Sequence, residues 1–319
     1  MLICQENLPS ASICFRNIFQ RTIIQTQRDI VFMLGRVIAY ILTVALLGMT
    51  FQFVGNDAAK VNSNVALLFL ISKVFTLGTC IVTIMNSQNY LEVLMRENIN
   101  SWYGVCDFYF TRTIIEAGMN CLIASVFSTF IWLLSGQQSP LWPNLLILIV
   151  LLCIHCIAFH HMRFGFSFLS CFIFVYFYHL SYIIAMFSNK ESLSQLPFAI
   201  AMLQVMFGGY FCLFDDLPVW IFWMRYLVFG SFTYTGLMKL AYLDGDGNSI
   251  DLECVMKAHP FCQRFKTSED VLTAWSIDMS QSVWIEVCWL LGWAIFCMII
   301  GLPLTFLYMR QSKRSLARI

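Results

Sequence analysis

The sequence predicts an all-α membrane protein with six transmembrane helices, and three observations predict it: an apolar composition, several long apolar runs, and basic residues gathered at both ends of the chain. Of 319 residues, 59% are hydrophobic, 16% aromatic and only 12% charged, with a mean hydropathy of +0.74. A soluble domain needs a charged shell that this composition does not supply. A spanning helix needs about 20 mostly apolar residues, because hydrocarbon offers no water to the backbone. Seven segments compete: residues 31–54, 64–85, 113–134, 145–158, 166–187, 198–213 and 283–309, the fourth and sixth being short.

Before the first of these, residues 9–30 place Phe15, Ile18, Phe19 and Ile23 on one side of a helical projection and Arg21, Gln25 and Arg28 on another. That pattern reads as an amphipathic helix lying on the cytoplasmic membrane surface, or as a plain extension of the first span. Nothing at this end reads as a removable secretory signal. Arg16, Arg21 and Arg28 precede the first span, and Arg310, Lys313, Arg314 and Arg318 follow the last with no acid among them. Basic residues beside short span ends stay inside, so both termini are expected in the cytoplasm, which requires an even number of crossings.

The second span carries Lys73, nine residues beyond Asn64 and hence about 14 Å deep at 1.5 Å per residue. An ionisable residue at such depth is a functional candidate by default; the alternative is a snorkelling side chain. Residues 86–112, with Asn89, Tyr90, Arg96, Glu97, Trp102 and Tyr103, read as a cytoplasmic loop holding a short helix. Glu116 opens the third span, where water could reach it. Seven apolar segments conflict with even parity, so one should not cross. Residues 145–158 are short and end near His160, His161 and Arg163, which marks them as a re-entrant or interfacial piece. Cys153, His155, Cys156 and His160 could be called a metal cluster, but within an apolar run a packed small-apolar reading is preferred.

After the sixth segment, a turn at residues 216–218 leads into a Trp- and Tyr-rich amphipathic stretch reaching about Tyr242, the composition of an interfacial aromatic belt that dips into the outer leaflet. Residues 215–282 hold nine acids and five bases, a net of −4, and precede an out-to-in last span, which makes them external. Cys254 and Cys262 are the two cysteines of this segment, and an oxidising compartment would let them pair; two unrelated thiols are the other reading. No phosphate-binding Gly-x-x-x-x-Gly-Lys-Ser/Thr loop occurs, nor a zinc or serine-hydrolase motif, so no catalytic residue and no metal ligand is assigned. No basic patch interleaved with aromatics suggests nucleic acid. No Asn-x-Ser/Thr acceptor is present to mark the outer face by glycosylation.

Two stretches resemble a known family. Leu94-Met-Arg-Glu97-Asn-Ile-Asn-Ser-Trp-Tyr103-Gly-Val-Cys-Asp-Phe-Tyr109-Phe is similar to the cytoplasmic loop of White-type ABC transporters of subfamily G. Phe207-Gly-Gly-Tyr-Phe211, then Asp215-Asp-Leu-Pro-Val-Trp220, Trp223-Met-Arg-Tyr226 and Phe232-Thr-Tyr234, resembles that family's fifth-span exit and external re-entrant helices. The likeness covers roughly residues 9–319. It implies an ABC-2 type fold: an amphipathic connecting helix over residues 1–30, then a six-span transmembrane domain over 31–319 with an external loop at 215–282.

By that resemblance the chain is a half-transporter that pairs with a second half, as a homo- or heterodimer, and moves lipid-like or other amphipathic molecules in a plasma or organelle membrane. Arg96 and Glu97 would belong to the coupling loop that receives motion from the nucleotide-binding domain. Phe75, Phe198, Met202 and Val205 would line the substrate cavity, with Lys73 beside them favouring an anionic group on the substrate or an acid on the partner. Tyr210 and Phe211 would form the outer gate. Helix packing is the plain alternative for each. No cofactor is expected on this chain; ATP and Mg would sit on a nucleotide-binding domain, which in the family precedes the connecting helix and is not found here, so the chain reads as a fragment, an isolated membrane domain or a truncated paralogue. Residues of about 143–162 are an apolar insertion relative to the family pattern. Two competing readings are a truncated subunit that regulates complete half-transporters without transporting, and a seven-span receptor, whose termini would lie on opposite sides.

Overall fold

The computed structural model describes residues 11–55, 57–100, 102–137, 143–158, 202, 204–244, 247–254 and 259–316. Among them the regular structure is helical, with isolated bridges and no strand. Helix α1 spans Ala11–Arg28, α2 Ile30–Thr50, α3 Val61–Ile99 and α4 Val105–Ser135. Helix α5 covers Pro143–Ala158. Phe229–Tyr242 is α6, Pro260–Arg264 α7, Ser268–Ala274 α8 and Val283–Leu316 α9.

Among the described residues, three helical stretches are long and apolar enough to cross a membrane: Met33–Thr50, Ala58–Gly78 and Val105–Ser135. Pro143–Ala158 and Val283–Ile299 are shorter apolar helices. Of the other expected spans, 166–187 lies outside the described residues and 198–213 lies partly outside them.

Helix α1 buries Cys14, Ile18 and Thr22, a repeat of four that makes one stripe. Cys14 and Ile18 pack with Leu94 of α3, Tyr103 and Val105, so the amphipathic helix is docked onto the near ends of α3 and α4. Helix α2 turns Val31, Ile38, Ile41 and Leu46 outward, the face a lipid-contacting helix presents. Helix α3 is the central element: Val65, Leu67, Phe69, Ile71, Lys73 and Phe75 are all buried, on several of its faces. The expected loop at 86–112 is largely helix instead, because α3 runs unbroken to Ile99 and α4 begins at Val105. Between residues 79 and 99 there is no glycine or proline, and Leu91, Leu94, Met95, Arg96 and Glu97 are strong helix formers. Gly104 supplies the extended N-cap of α4, and Gly136, at φ 65°, ends it in the left-handed conformation that favours glycine.

Two further segments are more enclosed than an interfacial position requires. The stretch expected as an interfacial belt divides at Val228. Before it Val219, Trp220, Trp223 and Tyr226 are exposed, whereas every residue of α6 is buried, against α3 and α9. Small side chains explain the close fit: a Cβ at Gly236 would run into Leu151 of α5. Helix α5, expected as a re-entrant or interfacial piece, is packed inside, with Leu151, Leu152, His155 and Ala158 fully buried.

The far ends of the helices are tied by polar contacts. Phe53 and Gly55 donate backbone hydrogen bonds to Leu134 and Ser135 at 3.3 and 3.0 Å. Gln137 donates to Asn64 (2.7 Å), which donates to the Tyr242 hydroxyl (2.9 Å). Beyond them Cys254 and Cys262 form a disulfide with 5.9 Å between Cα atoms, and Asp270 closes a capping box with Thr267 at the start of α8.

Candidate functional site

The carboxyl-terminal end of α3 is a joint among three elements. Glu97 pairs with Arg21 of α1 at 2.6 Å and accepts a hydrogen bond from the Tyr103 hydroxyl in the turn before α4. Burial alone would raise the Glu97 carboxyl, but hydrogen bonds from Arg21 and Tyr103 and the pull of the guanidinium outweigh it and hold the group below its usual range. Its hydrogen bond to Glu97 in turn raises Arg21. Burial, then the bond to the carboxylate, pushes the Tyr103 phenol up.

At the opposite end of the apolar part of α3, Phe69 carries an aromatic cluster. Tyr210 stacks on it at 4.7 Å between ring centroids, Phe211 meets it edge-on at 5.4 Å and Tyr234 at 6.0 Å. The chain enters this cluster through Gly208 and Gly209. Gly209 has φ 91°, and a Cβ there would lie 2.9 Å from the Phe214 ring and 3.2 Å from Tyr234, so no larger residue fits. A cavity of ≈ 630 Å³ lies between this segment and the α7–α8 region, lined by Tyr210, Phe211, Pro218, Phe261, Arg264 and Trp275 among others.

Among the described residues three cations are buried. Arg36 of α2 bonds to Asn120 and lies 3.8 Å from Glu116, which Arg112 holds at 2.7 Å. Lys239 of α6 pairs with Glu286 of α9 at 2.9 Å. Lys73, 4% exposed, donates to the backbone carbonyl of Gln204 at 2.8 Å and lies over the Phe69 ring at 4.9 Å. Near it His155 joins α5 to Thr76 (2.8 Å) and Thr233 (2.7 Å) through its two ring nitrogens.

The residues picked out in the sequence therefore fall into separate places. Glu97 is in the joint, and Arg96, next to it, is exposed. Tyr210 and Phe211 are together in the aromatic cluster. Met202 is exposed at 42% and Val205 is half-buried, while Phe198 lies outside the described residues. Phe75, 1% exposed, faces Tyr40 and Phe127 within the protomer. Glu116, expected to be solvated, is instead buried and held by two arginines. His155, set beside Cys153 and Cys156 in the sequence, has both nitrogens engaged by threonine hydroxyls. Arg36, Gln204, Lys239 and Glu286 were not picked out; an ionisable residue inside an apolar run would have signalled Arg36 and Glu286, whereas nothing marks Gln204.

Residues 14–242 match the family described as ABC-2 type transporter. The chain belongs to this family. It is 23% identical over 280 residues to ABC transporter G family member 1 of Petunia hybrida, covering 86% of this chain and 38% of that one. It is 24% identical over 197 residues to ABC transporter ATP-binding protein/permease wht-1 of Caenorhabditis elegans, covering 60% of this chain and 26% of the relative. The chain spans well under half the length of both. The ABC-2 type membrane domain expected from residues 94–110 and 207–234 is what the match identifies, with relatives among the subfamily G transporters, and it makes this chain an integral membrane protein of the transporter class.

Proposed function

We propose that this ABC-2 domain is the membrane half of an ATP-driven transporter for lipid-like or other amphipathic molecules, with six spans, both termini in the cytoplasm, and nucleotide-binding domains supplied from outside residues 1–319. The observation that carries the reading is one helix with a joint at one end and an aromatic barrier towards the other. Helix α3 bears Glu97, held by Arg21 and Tyr103, and, 28 residues earlier, Phe69, on which Tyr210 and Phe211 rest. At 1.5 Å per residue the two are about 42 Å apart, more than the hydrocarbon thickness.

Motion imposed at the coupling end of such a helix reaches the barrier without an intervening hinge. The transport cavity forms between two such domains, with Met202, Val205 and Phe198 on its wall and Tyr210 and Phe211 as its outer gate. Phe75 and Lys73 act from behind that wall, since both are buried within the protomer. The test is vectorial transport of a fluorescent phospholipid in vesicles holding the chain with a nucleotide-binding partner. Glu97→Gln is expected to lower lipid moved per ATP hydrolysed about tenfold while hydrolysis continues, the scale of a displaced positioning contact. Unchanged coupling, or an amino-terminal tag cleaved by protease added outside the cell, overturns the reading.

A further inference from the structure

Lys73 is placed where a helix stops. Residues 204–206 are helical, Phe207 turns and Gly208 and Gly209 bend away, so the carbonyl of Gln204 is among the last of its helix, which lack an amide partner and carry partial negative charge. The Lys73 ammonium donates to that carbonyl. A Cβ at Gly208 would lie 2.5 Å from Nζ and one at Gly230 3.1 Å; two glycines make the space the ammonium occupies. The Gln204 side chain, through Oε1, accepts from the backbone amide of Gly230 at 2.8 Å, which ties the same residue to the start of α6. One turn along α3, the Phe69 ring receives the ammonium on its face and Tyr210 by stacking.

A charge inside a membrane protein ordinarily finds an opposite charge, as Lys239 finds Glu286. Among the described residues Lys73 is in no ion pair; its contacts are a main-chain carbonyl of the helix that leads into the aromatic barrier and a ring of that barrier. Resting on the reading of Tyr210 and Phe211 as the outer gate, we propose that Lys73 is the latch of that gate: a positioning residue whose ammonium caps the helix leading into Gly208-Gly209 and clamps it to Phe69, so that the gate stays closed until the capped carbonyl moves away. A charge–dipole contact of this kind suits a latch, because its release strands a single carbonyl rather than a second buried charge.

The test uses the full chain in intact cells, with Cys212→Ser in the background, and measures reaction of an introduced Met202→Cys with a membrane-impermeant maleimide added outside. Gln281→Cys, on the exposed external side, is the reference. Lys73→Met is expected to raise the rate at position 202 about tenfold, the scale of a partly buried charge at a helix end, with no change at position 281. Gly208→Ala, which pushes a methyl group against Nζ while leaving the charge, is expected to act in the same direction and to add little to Lys73→Met, since both break one contact. If Lys73→Met does not reach the surface, Gly208→Ala decides alone by the same criterion. A rate unchanged by these variants but raised by Phe211→Ala means the gate is real and Lys73 does not hold it. A rate unchanged by Phe211→Ala as well means Tyr210 and Phe211 are not a gate, and the latch falls with them.

Discussion

Lys239 and Lys73 are both buried cations in apolar surroundings, yet they are held in opposite ways. Lys239 meets the carboxylate of Glu286, from a different helix, at 2.9 Å, and both side chains are enclosed. Lys73 meets the end of a helix and an aromatic ring. Separating a buried ion pair leaves two uncompensated charges, so the Lys239 region is a fixed seam between α6 and α9. Withdrawing a carbonyl from an ammonium leaves much less behind, so the Lys73 region can move. The comparison assigns rigidity to one part of the molecule and motion to the other.

The largest effect is expected at the seam. Lys239→Met should lower stability by about 3–5 kcal/mol, the cost of stranding a buried carboxylate, whereas Lys239→Met with Glu286→Met should recover most of it. Thermal unfolding of the purified protein in detergent measures both, and a double variant as unstable as the single one would break the distinction. Next comes Lys73→Met, which orphans one carbonyl and should cost about 1–3 kcal/mol in the same assay; a loss matching that at Lys239 would make the two sites equivalent. Tyr242→Phe removes the hydroxyl that accepts from Asn64 and should cost about 1 kcal/mol without altering accessibility at position 202.

The smallest effect on stability is expected at the Glu97 joint. Arg21 is half exposed, so water screens the pair, and Glu97→Gln should change stability by less than about 1 kcal/mol. Its signature is instead the direction of its pH dependence. Because the folded Glu97 carboxyl is held below the ordinary value of 4.5, its contribution is present above that value and is lost as the pH falls through the depressed one. Docking of α1, followed by a fluorophore at position 17, should loosen on that acid side in the parent and not in Glu97→Gln. Loosening on the alkaline side instead would contradict the ion pair.

Much of the architecture was legible because it follows from period, charge and solvent. The helical period of residues 9–30 anticipated α1, although of the face read from it, Phe15, Ile18, Phe19 and Ile23, only Ile18 is in the buried stripe of Cys14, Ile18 and Thr22, and Cys254 and Cys262 were the pair available on an acidic segment. What was hidden depended on partners distant in sequence. Lys239 and Glu286 are 47 residues apart, and nothing in the sequence of either names the other as its partner. The acceptor of Lys73 is a backbone carbonyl, which leaves no trace in residue identity. Helix α6 was misplaced because its aromatic lead-in resembles an interfacial belt, while the glycine and hydroxyl residues that let it pack, Gly230, Ser231, Thr233 and Gly236, say little until a neighbour is known. The length of α3 was underestimated because polar residues at 86–99 read as loop, although none of them breaks a helix.

That length has a mechanical consequence. A stiff rod pivoting at its clamped end amplifies angle into displacement, and over the about 42 Å from Glu97 to Phe69 a tilt of about 5° carries the far ring by about 4 Å. A ring shift of that size exceeds the spacing of a hydrogen bond, so a barely visible rotation at the Glu97 end is enough to pull Phe69 and Lys73 out of register with the residues they steady.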